Sequence, residues 1–197
     1  MLPSPNQTLP MYKSKHASAW TEQGYSLFAE DGLDGMQVER LARILQLNKS
    51  GFYHYFGDME VFCAELLRLH EQKADNFYKE IRYVKTIDPE YFQKVVEHKV
   101  MIMFQVQLYH CKSKPAFYNL AEMIDEKEGP ILQHVWKDYL GFDNNADLAI
   151  RYFIIVRDMA YRRISLQNLT CEFLRKMFTE AKVVLSQTAE RKHFAED

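Results

Sequence analysis

Lys49, Ser50, Gly51, Phe52, Tyr53, His54 and Tyr55 follow one another in the chain, an alternation of basic, small and aromatic side chains directly behind Asn48. Asparagine is a favoured helix N-cap, so a helix is expected to open at Lys49. The unpaired N–H groups of a helix start attract anions, and small residues there let another backbone come close. A DNA phosphate is one such anion. Lys49 could neutralise a phosphate or donate to a guanine edge. Tyr53 could donate its hydroxyl to a phosphate, with a core aromatic as the alternative. Ser50, Gly51 and His54 complete the groove-facing set, Phe52 and Phe56 read as core, and Tyr55 reads as stacking on the first helix. Just upstream, Val38, Leu41, Ala42 and Leu45 share one helical face, and Leu47 falls in a turn. Gln37 and Arg40 sit where this earlier helix would pass the nucleic-acid backbone. The stretch Gln37 to Phe56 therefore reads as a helix-turn-helix whose second helix enters a major groove, although an ordinary helical core shows the same spacing.

Patterns for enzyme chemistry are missing. His70-Glu71 has Ala74 where an HExxH motif needs its second histidine. The only E-x-x-H runs from Glu190 to His193, without the paired motif of a bundle di-iron site. The seven glycines form no phosphate loop, and no G-x-S-x-G elbow occurs. Cys63, Cys111 and Cys171 are far apart and in no CxxC arrangement, which suits reduced thiols better than a disulfide framework or a zinc site. No catalytic residue, metal or cofactor is expected.

Bulk composition narrows the partners. The chain has 197 residues, 47% of them apolar, and a formal net charge of −2. That charge argues against wholesale electrostatic binding to nucleic acid or an anionic membrane, so any DNA contact must come from a local patch. From residue 12 to 60 the bases are Lys13, Lys15, Arg40, Arg43 and Lys49, against the acids Glu22, Glu30, Asp31, Asp34, Glu39, Asp58 and Glu60. With acids in excess, binding requires them to lie away from the groove, and few lysine–phosphate pairs predict a shallow salt dependence. Lys13 and Lys15 could reach phosphates, but a solvated arm is the simpler reading. The first residues carry prolines where a signal peptide needs an apolar run, and no stretch approaches the ~20 apolar residues of a membrane span. A cytoplasmic location is expected.

The elements that position these residues are all helical. Pro3, Pro5 and Pro10 mark an arm, and a first helix follows from about 12 to 31, ended by Gly32. After the two-helix unit, Asp58 caps a long fourth helix to about Val84, carrying Phe62, Leu66, Leu69, Phe77 and Ile81 at helical period. Asp88-Pro89 opens a helix to about Lys112. Shorter helices are expected over 116–126 and 131–140, broken by Gly129-Pro130, then 146–164 and 171–188. Alternating strand patterns are nearly absent. The fold class is all-α: an N-terminal three-helix helix-turn-helix domain over 12–57, followed by a larger helical domain over 58–197.

From Trp20 to Phe62 the chain resembles the TetR family of bacterial transcriptional regulators. The matching residues are Leu27-Phe28 and Gly32, then Val38, Leu41 and Ala42, then the block Asn48 to Phe56 followed by Glu60. The long helix after the block and the helical remainder fit the family's architecture. The resemblance implies a DNA-binding regulator, more often a repressor, acting as a homodimer on a pseudo-palindromic operator and answering to a small-molecule effector. Gln37, Arg40, Lys49, Ser50, Gly51, Tyr53 and His54 carry over as the DNA-binding residues. Three positions depart from the pattern: Gln37 replaces Thr or Ser, Gln46 replaces the turn glycine, and Met59 replaces a common lysine. Gln46 would bear strain if its position is left-handed, and Met59 would forfeit a phosphate contact. The family pairs its last two long helices with those of a second subunit, and here 146–164 is apolar on more than one face, as a helix buried on two sides must be.

Met103, Phe104, Tyr109, His110, Phe117, Trp136 and Tyr139 are the candidate lining of a pocket for a mostly apolar effector, inferred mainly from the resemblance, since the same side chains build any helical core. The alternative reading is a helical ligand-binding or protein-interaction module that has lost DNA binding. A helical-bundle enzyme is a distant third.

Overall fold

Gly24 makes room for the aromatic contact between the first helix and the fourth. It lies on α1 (Met11–Asp31), facing Phe62 of α4 (Met59–Ile81), and a Cβ there would stand 2.4 Å from the Phe62 ring. Glycine leaves the Phe62 ring room to lie directly on the α1 backbone. The computed structural model describes the backbone over 11–141 and 146–193, and side chains over 15–141 and 147–184. Among these residues all regular structure is helical: α2 (Val38–Leu45), α3 (Lys49–Phe56), α5 (Phe92–Glu97), α6 (Lys99–His110), α7 (Pro115–Leu140), α8 (Ala146–Tyr161) and α9 (Cys171–His193) complete the order.

The local signals act as their chemistry predicts. Gly32 ends α1 at φ +65°, its N–H donating to the Phe28 carbonyl. Asn48 Oδ1 accepts from Ser50 N at 3.1 Å, and Asp58 Oδ1 accepts from Val61 N at 2.9 Å, so both caps form. Gln46 adopts φ 54° and ψ 37°, the left-handed conformation of the turn, which a side chain adopts at a cost of about 1 kcal/mol or more.

Two expected boundaries move. The helix expected over about 89–112 is two, because His98 leaves helical geometry at φ −97°, ψ 21° between α5 and α6. Glu80 of α4 holds the bend, receiving Lys94 at 3.0 Å and His98 Nε2 at 3.2 Å. Its cap also moves: Thr86, rather than Asp88, accepts from Glu90 N, across an irregular turn Ile87–Tyr91. Asp88 instead receives Arg175 of α9 at 2.6 and 2.9 Å.

Conversely, Gly129-Pro130 does not break α7, which runs unbroken from Pro115 to Leu140. An interior proline removes one hydrogen bond and crowds the carbonyl four residues earlier, at about 3 kcal/mol. Packing on both sides of Pro130 overrides this. Ile124, Glu128, Leu132, Val135 and Trp136 are all buried, and a Cβ at Gly129 would already touch Ile150 of α8 at 3.1 Å.

Two apolar cores result among the described residues. The upper one joins Trp20, Leu27 and Phe28 of α1, Leu41 of α2 and Phe52 of α3 to Phe62 of α4, Phe104 and Leu108 of α6, and Phe117 of α7. The lower one gathers Phe77 and Ile81 of α4, Phe92 of α5, Leu132 and Trp136 of α7, Phe153 of α8 and Phe178 of α9. The helix-turn-helix thus shares its core with α6 and the start of α7. Phe104 is the centre of that junction: its ring stacks on Tyr25 at 4.2 Å and on His70 at 4.5 Å, and meets Phe28 at 4.3 Å.

Candidate nucleic-acid interface and effector cleft

Phe52 and Phe56 fix the orientation of α3. Phe52 is fully buried, meeting Trp20 edge-on at 5.6 Å and Phe62 at 5.0 Å, and Phe56 lies 4.7 Å from Phe62. With that face inward, the opposite face presents Lys49, Ser50, Tyr53 and His54 to solvent, with Gly51 half-buried between them. Tyr53 is 52% exposed, so its ring is not core. It leans edge-on against Phe52 at 5.5 Å, which directs the hydroxyl outward. A Cβ at Gly51 would meet nothing within 4 Å, so no intramolecular packing demands glycine there.

The second helix arrives beside this surface. Gln37 is its N-cap in extended conformation, exposed and making no side-chain capping bond. Its amide is free to donate elsewhere. Two of the local cations are held by acids: Lys49 Nζ lies 2.9 Å from Glu39 Oε1, and Arg40 pairs with Asp31 at the end of α1. Their hydrogen bond and attraction lower the Glu39 carboxyl and raise the Lys49 ammonium relative to their ordinary values. Both partners are exposed, and such pairs exchange readily for a phosphate. Met59 is half-buried against the upper core and serves packing, where a lysine would have reached outward. Lys15 is exposed on α1, and the Lys13 side chain lies outside the described residues.

The seven candidate pocket residues separate. Tyr109 and His110 line a cleft of about 450 Å³ between α6, α7 and α8. Met103, Phe104 and Phe117 are buried in the upper core, Trp136 is buried in the lower core, and Tyr139 packs partly buried against the latter. The cleft sets charged groups among apolar walls that include Val106 and Ile154. Its rim carries Lys112, Glu122, Glu126, Asp158 and Arg162, and its floor is Asp125, Arg157 and Tyr161.

That floor was missed because its members are hydrophilic types spread over two helices. Arg157 of α8 donates to the Asp125 carbonyl at 3.0 Å and lies 3.4 Å from its carboxylate. The same carboxylate accepts from Tyr109 at 2.7 Å, Gln105 at 2.7 Å and Tyr161 at 3.2 Å. Behind it Glu128, 3% exposed, accepts from the Tyr91 hydroxyl at 2.8 Å. Burial pushes both carboxyls up, against the pull of Arg157, and Glu128 reaches about 7. A pattern was visible: Ala121, Asp125, Glu128 and Leu132 share one helical stripe, so the two acids had to face inward with their neighbours.

Comparison with known proteins bears on the head. Residues 21–66, from within α1 to within α4, match the family described as bacterial regulatory proteins, tetR family. No curated protein matches the chain. A solved transcriptional regulator (TerR/AcrR family) from Aquifex aeolicus VF5 superposes with a TM-score of 0.59, covering 85% of this chain and 98% of that one at 17% identity. The likeness is one of fold.

Two predictions follow from this geometry. Gly51→Ala should leave the free protein as stable as before or more so, by up to about 1 kcal/mol of helix propensity, while weakening DNA binding several-fold if a backbone approaches there. Chemical denaturation beside a DNA titration checks this; equal DNA affinity would remove Gly51 from the interface. Glu128→Gln should stabilise the protein by a margin that widens as pH rises. A carboxyl raised from 4.5 to about 7 by folding is penalised progressively between those values and fully above them, and glutamine carries no such penalty. The widening is on the order of 3 kcal/mol. A stability difference that stays constant between pH 4.5 and 7.5 would contradict an ionising, buried Glu128.

Proposed function

With residues 21–66 forming a TetR-family DNA-binding domain, we propose that the chain is a ligand-responsive transcriptional repressor acting as a homodimer. One observation carries the reading: Lys49, Ser50, Tyr53 and His54 share the solvent face of α3 while Phe52 and Phe56 lock the other face to α1 and α4. A helix held in this way presents its side chains as a rigid unit to a major groove. Lys49 and the Tyr53 hydroxyl take phosphates, with Gln37 and Arg40 beside them on α2. Ser50 and His54 reach base edges, and Gly51 admits the nucleic-acid backbone.

Dimerisation is assigned to α8 and α9. Ile155 and Met159, one turn apart on α8, are 55% and 47% exposed, and Val183 on α9 is 49% exposed. Apolar side chains in this number along two adjacent helices favour a self-complementary contact about a two-fold axis. Two heads would then lie in successive major grooves of a pseudo-palindromic operator. The effector binds the cleft between α6, α7 and α8, whose charged rim and tyrosine floor select a molecule with hydrogen-bonding groups. It prefers one disposition of the heads over the other, and DNA release follows from that difference in affinity.

A second reading, a helical module without DNA affinity, is favoured by one observation only: Glu39 and Asp31 already occupy Lys49 and Arg40. A gel-shift assay on the protein's own promoter region at low salt separates the two. The proposed function predicts a retarded complex containing two copies. Lys49→Ala should weaken it and lower the salt slope by about one. Ile155→Glu should give a monomer in light scattering and lose the complex. A wild-type dimer that leaves this DNA unshifted would favour the second reading.

A further inference from the structure

A file of buried polar side chains crosses the molecule from the head to the cleft. Tyr25 of α1 lies 2.7 Å from His70 Nδ1 on α4, and His70 Nε2 lies 2.8 Å from Gln105 Oε1 on α6. Gln105 Nε2 then donates to the Asp125 carboxylate on α7 at 2.7 Å and to the Ala121 carbonyl at 2.8 Å. Tyr25, His70, Gln105 and Asp125 are each 5% exposed or less. At its far end Asp125 receives Tyr161 and Tyr109, which line the cleft.

The chemistry of the groups gives this file one direction. The Asp125 carboxylate and the Ala121 carbonyl only accept, so both must face the amide nitrogen of Gln105. Its oxygen is therefore turned to His70. Nε2 must carry the imidazole proton, Nδ1 is left as an acceptor, and Tyr25 must donate. Every hydrogen bond points from α1 toward Asp125. Turning the Gln105 amide over would set oxygen against carboxylate and leave Nε2–H facing an N–H donor. It would also set oxygen against the Ala121 carbonyl, which accepts whatever happens at Asp125, so no change at the cleft reverses the file. What the cleft end can change is how strongly and where Asp125 holds the Gln105 amide, and through that amide the His70 and Tyr25 bonds.

We propose that Gln105 and His70 are positioning residues that couple occupancy of the cleft to the placement of α1 in the head. A ligand that competes for the Tyr109 or Tyr161 hydroxyl, or brings its own donor to Asp125, alters what Asp125 accepts. Gln105 and His70 pass the change to Tyr25. Tyr25 and His70 both stack on Phe104, so their rearrangement shifts the contact by which α1 rests on α6. A wholly apolar ligand has no purchase on this file. The proposal rests on the DNA-binding reading for its output but not for its input.

The test uses the full-length dimer and needs no effector. Tyr161→Phe removes one donor from the Asp125 oxygen that Gln105 also serves, at a residue on α8 remote in the file from His70. In ¹⁵N spectra, wild-type His70 should show the single neutral Nε2–H tautomer, and Tyr161→Phe should move those ring signals. On the promoter region, Tyr161→Phe should change affinity about three- to tenfold, and by much less in a Gln105→Met background, the non-additivity that a shared file requires. Unmoved His70 signals in Tyr161→Phe overturn the proposal even if Gln105→Met fails to fold. So does an affinity change of equal size in both backgrounds. Should wild type bind no DNA while the His70 signals respond, the input half stands and the DNA-binding reading fails.

Discussion

The structure depends on the junction around Phe104. Its ring is held between Tyr25 and Phe28 of α1 and His70 of α4, all within 4.5 Å centroid to centroid. Truncating a fully buried phenylalanine at such a point costs about 3–5 kcal/mol, a large part of the whole stability of a domain. The larger consequence is mechanical. Because α1 rests on α6 through this ring, the helix-turn-helix is not hung from α4 alone. Any change in the helices around the cleft meets the head along two routes, through α4 and through α6.

The same junction explains why polar groups are tolerated in the core. His70 has no exposure at all, and burial lowers its pKa to about 4, so it is neutral and its two nitrogens play distinct roles. One accepts from the head, and the other donates toward the cleft. Below it, Asp125 and Arg157 share the floor of the cleft with Glu128 behind them, and burial raises both carboxyls above their ordinary range. Removing Arg157 would leave two buried acids unpaired, which is far more costly than never burying the set. The lower half is therefore specified by polar pairing as much as by apolar packing.

Much of this was legible in the chain. The caps at Asn48 and Asp58 and the stop at Gly32 act through local hydrogen bonds, which sequence displays directly. The all-helical class, the inward face of α3 and the strain at Gln46 follow from period and backbone geometry. What was not legible depended on distant partners. Pro130 reads as a breaker because the packing that carries α7 through it comes from α4 and α8. The pocket candidates were chosen by type, and Phe104 and Trp136 lie in the cores, whereas the cleft is walled in part by side chains that resemble ordinary surface. Gln105 was the overlooked signal: of the two amides in the apolar run from Val100 to Leu108 it is the buried one, and it has to find partners indoors. His70 stands in the same position between Leu66 and Ala74 on the inner stripe of α4.

The reading of the head as a DNA-contacting surface is tested most directly by hydroxyl-radical footprinting of the purified protein on its own upstream DNA. The account predicts two protected half-sites of equal length, related by a two-fold axis and centred about one helical turn or a whole multiple of it apart. Tyr53→Ala should lose both half-sites together. Absent or featureless protection, or protection indifferent to Tyr53, would contradict it.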